Sequence, residues 1–328
     1  MDANWNLIGH EWAVRLLKTQ IGSGQLRQAY LLTGPPGIGR RTLALRAAQA
    51  LNCQAPPAPG EFCGECRACR GFARSQHPDL LLVSRNEGDR DLRIEAIREL
   101  RRELSRTPLE ANSQVAILIN FEDASVQAAN ALLKTLEEPN PRTLICLTAT
   151  DEDRLPPTIV SRCELLRLRP VPAEMLSASL VARGLDAEQA QLLARLSAGR
   201  PGLALRWQAQ PELLQRRADW LDACDSLLTA NPVQRFAFAE KASKDRHNLR
   251  ELLLVWLSFW RDALLRAGGS SAAVANPDRE AQLEQVAQTL NLDSIHVWVE
   301  KLQETLDQLE TNVNARLALE ALLLHLPG

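Results

Sequence analysis

Aromatic residues are scarce: Phe, Trp and Tyr make up 4% of the 328 residues, and tyrosine occurs once. With 45% hydrophobic residues supplied mainly by Leu and Ala, that scarcity favours helices over an all-β fold. An excess of charge of one sign is also missing. The 38 Lys and Arg and 40 Asp and Glu leave a formal net charge of −2, so no global basic field points to nucleic-acid binding. No apolar run reaches the roughly 18 residues of a membrane span. Met1-Asp2-Ala3-Asn4-Trp5 also lacks the basic segment and apolar run of a secretion signal. We therefore expect a soluble, cytoplasmic protein with no membrane partner. In that compartment the seven cysteines read as thiols or metal ligands and not as disulfides. The length predicts two or three domains.

The organising stretch is Gly34-Pro35-Pro36-Gly37-Ile38-Gly39-Arg40-Arg41-Thr42. It has the outline of a phosphate-binding P-loop, G-x-x-x-x-G-K-[ST], in which backbone N–H groups cradle phosphates, a Lys reaches the β and γ phosphates, and a hydroxyl ligates Mg²⁺. Gly34 and Gly39 hold the frame, but Arg40 stands in the Lys place and Arg41 in the hydroxyl place, with Thr42 one residue late. A planar guanidinium does not substitute freely for a compact ammonium in a tight loop. A cation where the metal needs an oxygen adds repulsion. The flanks still suit the scaffold, with a buried strand at 29–33 and a helix over 43–51.

Further strands are expected at 79–83, 115–119, 144–148 and 165–168, with helices at 5–24, 94–106 and 128–139. Trp12, Leu16 and Leu17 mark one face of the first helix, and a polar loop is expected from Ser84 to Asp91. Helix 94–106 sets Ile94, Ile97, Leu100 and Leu104 against Arg98, Arg101, Arg102 and Arg106; that basic face is a solvated surface or, alternatively, a contact for DNA backbone or another subunit. A P-loop ATPase places an Asp-Glu pair at the end of its third strand. Here those places hold Ile119 and Asn120, and Glu122 and Asp123 come too late, so that they are expected to point elsewhere.

Cys63, Cys66 and Cys69 follow C-x₂-C-x₂-C spacing, with Cys53 upstream across a Pro-rich excursion. Short spacings chelate and the loop brings the fourth ligand round, which makes a structural Zn²⁺ site with no open coordination position. An iron–sulfur run would place another Cys soon after Cys69, and none follows. His77 nearby reads as an ordinary surface or core residue.

The run Asn130 to Pro139, followed by Ser161-Arg162-Cys163, and the cysteine module after the P-loop helix resemble the clamp-loader branch of the AAA+ ATPases, over roughly residues 5 to 205. In bacteria these are the DNA polymerase III gamma/tau and delta-prime subunits. The gamma/tau motors keep the Lys-Thr and Asp-Glu pairs. This chain departs at Arg40-Arg41 and Ile119-Asn120, and Gly202 stands where the family has a nucleotide-sensing Arg, which is the delta-prime pattern. The resemblance implies that Arg162 is an arginine finger facing ATP bound by a neighbour, and that Gly34, Gly37, Gly39, Arg40, Arg41 and Thr42 are a vestigial P-loop holding no ATP. Cys163 reads as a small buried residue beside the finger.

The fold expected is α/β. Residues 1–168 form an AAA+-type parallel-sheet domain with the zinc module at about 53–69, 169–208 a small helical lid with Leu192, Leu193 and Leu196 as core candidates, and 209–328 an all-α collar. In the collar, Leu249, Leu252, Leu253, Trp256, Leu257, Trp260 and Leu264 fall at helical spacing, and Gly268 to Ser271 read as a flexible break. The implied partners are gamma/tau and delta subunits in a hetero-pentamer and, through it, the sliding clamp and primed DNA. The rival within this family is a divergent ATPase working with Arg40 and Thr42. A DNA-reading zinc protein is disfavoured because Cys53 to Cys69 offers chiefly Arg67 and Arg70 in place of a basic helix.

Overall fold

Short apolar runs bounded by turn residues form strands because they are too short to bury a helix face. The computed structural model describes residues 4–86, 89, 91–310 and 313–327. Met1 to Ala3, and Glu87, Gly88 and Arg90 of the expected polar loop, lie outside the described residues. The described strands are β1 (Ala29–Thr33), β2 (Leu80–Val83), β3 (Gln114–Leu118), β4 (Thr143–Ala149) and β5 (Glu164–Arg167). They form one parallel sheet in the order β2-β3-β4-β1-β5, with Leu31 of β1 paired to Leu147 and Leu165.

Successive side chains alternate between the faces. Tyr30, Leu32, Val115, Ile117 and Cys146 join one core, and Leu31, Ala116, Leu118, Ile145 and Leu147 join the other. Both faces are covered, which is why the strands read as unbroken apolar runs. Helices α1 (Glu11–Gly22), α2 (Arg40–Asn52) and α3 (Arg67–Ala73) supply the first core, and α4 (Ile94–Leu104) and α5 (Val126–Glu137) the second. Ser125 caps α5 by accepting from the Ala128 N–H, and Pro139 follows its end. The exposed Arg102 of α4 and Arg106 just past its end pair with Glu99 and Glu103 of that helix, which supports the solvated reading of that face.

The first helix departs from expectation. It begins at Glu11, because Trp5, Asn6, Gly9 and His10 all take left-handed φ values. The Asn4 amide donates to Leu7 O and Gly9 O, both at 2.8 Å, and folds this segment into a turn. Trp5, Leu7 and Ile8 are nevertheless buried, so the apolar pattern reported burial without helix. Trp12 is 48% exposed, and Ala13, Val14 and Leu17 form the inner face instead.

Beyond β4 come α6 (Pro157–Val160), α7 (Ala173–Val181), α8 (Ala187–Leu196) and α9 (Pro201–Ala209). They precede α10 (Glu212–Leu228), α11 (Pro232–Ala242), α12 (Arg246–Ala267), α13 (Glu280–Thr289), α14 (Leu292–Glu310) and α15 (Ala315–Leu324). Contacts divide the chain into two compact units, Met1–Ser179 with Gly199–Leu203, and Leu180–Ala198 with Ala204–Gly328. In the second unit α12 is the central helix: Leu249, Leu252, Leu253, Trp256 and Trp260 are buried, and Trp260 meets Trp298 of α14 edge-on at 6.0 Å. Leu193 and Leu196 of α8 are buried, but Leu192 is 36% exposed, since it falls on the outer side of that helix.

Candidate functional site

The loop after β1 is anchored by the Gly34 N–H, which lies 3.2 Å from both Ala149 O and Thr150 O at the end of β4. A Cβ on Gly34, at φ +140°, would stand 2.4 Å from Leu168 O, so only glycine fits. Gly37 and Gly39 are left-handed as well. The P-loop frame is therefore built.

What the frame holds is a buried guanidinium. Arg40, the first residue of α2, is 8% exposed. Its Nη2 donates to Asn120 Oδ1 at 3.1 Å, and its Nη1 has no partner among the described residues. Burial pulls the Arg40 pKa down, and the Glu122 carboxylate opposes that pull. Asn120 is itself left-handed, and its N–H donates to Thr148 Oγ1 at 2.9 Å. Glu122 does not point away as its late position suggests: Thr150 N donates to its Oε1 at 2.8 Å. The ends of β3 and β4 and the start of α2 are thus bonded to one another. Arg41 leaves the loop and donates to Ser75 Oγ at 3.2 Å, and Thr42 is exposed.

Gly202, at the second position of α9, comes up against this loop. Its N–H donates to Gly37 O at 2.8 Å, and a Cβ there would lie 2.8 Å from the same oxygen. Gly37 in turn lies under Leu203, whose N would be 3.2 Å from an added Cβ. Glycine at both places lets main chain meet main chain.

Arg162 is two residues past the short α6. Its side chain is 33% exposed and is held from two sides. Nε and Nη2 donate to Glu137 Oε1 at 2.8 and 2.5 Å, and Nη1 donates to Thr158 O at 2.8 Å. The neighbouring Cys163, expected to be buried, is half-buried and packs against the second core, and desolvation pushes its thiol up to about 12.

The sulfur atoms of Cys53, Cys63, Cys66 and Cys69 all lie within 4.8 Å of one another. The Cys53–Cys63 and Cys63–Cys69 distances of 3.6 and 3.9 Å match the spacing of about 3.8 Å between thiolates around one tetrahedral metal. The Cys66 and Glu65 N–H groups lower the Cys63 thiol to about 6, whereas burial raises Cys53 and Cys69. This donor set fits a metal that favours soft sulfur ligands. His77 stays apart: it is buried, stacks on Phe72 at 4.2 Å, and burial keeps its pKa low.

Sequence reasoning singled out the frame glycines, the cysteines, which the fold brings together, and Arg162. It missed the Arg40–Asn120–Thr148 chain of bonds and the Glu137 partner, since these join residues 28 to 80 positions apart, or 25 for Glu137. A family profile described as DNA polymerase III, delta subunit, matches residues 9–172, and one described as DNA polymerase III, delta subunit, C terminal, matches 211–327. The DNA polymerase III subunit delta′ of Pseudomonas aeruginosa is 34% identical over 97% of this chain and 98% of its own length. That of Escherichia coli strain K12 is 32% identical over 93% and 90%. Subunit tau of Bacillus subtilis is 27% identical, over 74% of this chain and 43% of its own length. By these matches the chain belongs to the DNA polymerase III delta-prime family.

Proposed function

We propose that this clamp-loader subunit turns over no ATP of its own and lends Arg162 to the ATP site of a neighbouring gamma/tau motor, in support of sliding-clamp loading on primed DNA. The observation that carries this reading is the state of Arg40. A working site needs a mobile cation for phosphate and oxygens for Mg²⁺. Here the cation is buried against Asn120, Ile119 and Arg41 fill the metal positions, and Gly202 lies on Gly37. The rival reading, a divergent ATPase, needs Thr42 to reach a metal. Thr42 is exposed one residue too far along the helix.

In phosphoryl transfer, charge accumulates on the γ-phosphate oxygens, and an arginine supplied by a second chain contributes about 10³ to 10⁵ in rate. Arg162 is suited to that role by partial exposure and a fixed guanidinium. We assign zinc to the four cysteines as a structural ion: with four protein ligands it would tie the excursion after α2 to α3 and offer no open position for chemistry. Residues 1–168, 169–208 and 209–328 would serve as AAA+-like, lid and collar domains. Val233, Leu317 and Leu324 are 76%, 60% and 59% exposed on α11 and α15, and such apolar surface suits packing among collars in a cytoplasmic hetero-pentamer with gamma/tau and delta.

Titration of the purified chain with Mg²⁺ and ATP up to about 1 mM, where a Kd corresponds to about −4 kcal/mol, tests the first half. Saturable micromolar binding would overturn it. ATPase of the rebuilt complex with Arg162→Ala tests the second half, and turnover equal to wild type, with clamp and DNA present, would overturn that.

A further inference from the structure

We infer that Glu137 is a positioning residue for Arg162: it fixes the guanidinium in the attitude from which it reaches the neighbour's phosphate. This inference rests on the arginine-lending reading and deepens it. Glu137 is the last residue of α5, where the helix dipole places partial negative charge and disfavours a carboxylate. Its placement runs against local preference. Arg162 offsets that cost, with Nε and Nη2 both donating to Oε1.

The contacts also account for which edge of the fork is presented. An arginine has five N–H donors. Glu137 takes the Nε–Nη2 edge and Thr158 O takes one N–H of Nη1. The second N–H of Nη2 remains for a ligand, as does that of Nη1, which has only Ser161 Oγ at a long 3.4 Å. The guanidinium thus keeps donors on both Nη atoms beyond those that Glu137 and Thr158 take, and such donors suit an anion. An arginine on a flexible stem would have to find this attitude anew in each cycle, whereas one already clamped does not. The carboxylate therefore aids the arginine by orienting it, and it does not compete for the free edge.

The test uses the rebuilt clamp loader with clamp and primed DNA. Glu137→Ala should lower kcat about tenfold and leave the KM for ATP unchanged, since the neighbour binds the nucleotide. Glu137→Gln keeps an acceptor oxygen in place and should stay within about twofold of wild type. Glu137→Asp keeps the charge but withdraws the oxygen, and should fall as Ala does. In the Arg162→Ala background Glu137→Ala should add no loss, as two residues acting as one unit require. Wild-type or faster turnover by Glu137→Ala would overturn the inference, as would an undiminished further loss in the Arg162→Ala background. If Arg162→Ala itself turns over like wild type, the arginine-lending reading fails and takes this inference with it. If Arg162→Ala is slow and Glu137→Ala is not, only the inference falls.

Discussion

Arg40 and Arg162 are two arginines in motifs of one family, and their surroundings are opposite. Arg40 is 8% exposed, makes one hydrogen bond to Asn120 and leaves Nη1 unsatisfied. Arg162 has a side chain 33% exposed, and all three of its nitrogens donate. Burial keeps the charge of Arg40 inside the domain, against Asn120. Partial exposure, with each nitrogen bonded and N–H groups to spare, leaves Arg162 held in place and still open to a partner. The sequence position of a charge in a motif tells less about its role than the number of its donors still open to the outside.

The strongest way to break this contrast is to remove Arg162. Arg162→Ala should slow single-turnover hydrolysis at the neighbour's site by about 10³, with an unchanged urea midpoint for the isolated chain, because an exposed ion pair contributes about 0–1 kcal/mol. Equal loss of stability and activity would erase the distinction.

Asp79 supplies a buried charge with a full set of partners to set beside Arg40. Burial by itself would raise its pKa, but the N–H groups of Leu109, Glu110 and Ala111 outweigh burial and hold it below the ordinary 3.8. A carboxylate depressed in the folded state contributes stability that is fully present above its unfolded pKa and is lost as pH falls through the folded one. Asp79→Asn should cost about 2–3 kcal/mol at pH 7 by urea unfolding, and the gap to wild type should shrink below about pH 4. A gap that stays constant at low pH would contradict it.

Arg40→Met should have a smaller effect, within about 1 kcal/mol by urea midpoint, since the loss of Asn120's bond is offset by removal of a buried cation with an orphan N–H. It should leave the ATPase of the complex unchanged. The smallest effect is expected from Arg40→Lys with Arg41→Thr, which restores the P-loop pattern. Calorimetry should still show no ATP binding up to about 1 mM, because Ile119, Asn120 and Gly202 remain. Binding by that variant would mean that Arg40 and Arg41 alone account for the proposed loss of nucleotide binding.

The strands, the frame glycines and the cysteine cluster were legible because each depends on spacings of a few residues. Trp5, Leu7 and Ile8 show the limit of such patterns: they are core residues, yet Gly9 and His10 bend the chain before α1 can start. Likewise the α12 stripe is the core of its own unit, while the exposed Val233 and Leu317 lie off the buried faces of their helices. The Arg40–Asn120 and Gly202–Gly37 contacts span 80 and 165 positions, and no local signal encodes either.

The Gly202–Gly37 contact bears on how this chain could change over generations. With main chain seated on main chain at 2.8 Å, any side chain at 202 must push the loop aside before it can be of use. A single substitution there meets a steric penalty first, and Arg40 would remain buried against Asn120. If, as proposed, the chain holds no ATP, recovery of a nucleotide site would require several changes to arrive together, none of them favourable alone, so such a loss would work as a ratchet. A lineage that had crossed it would be committed to acting through its neighbours.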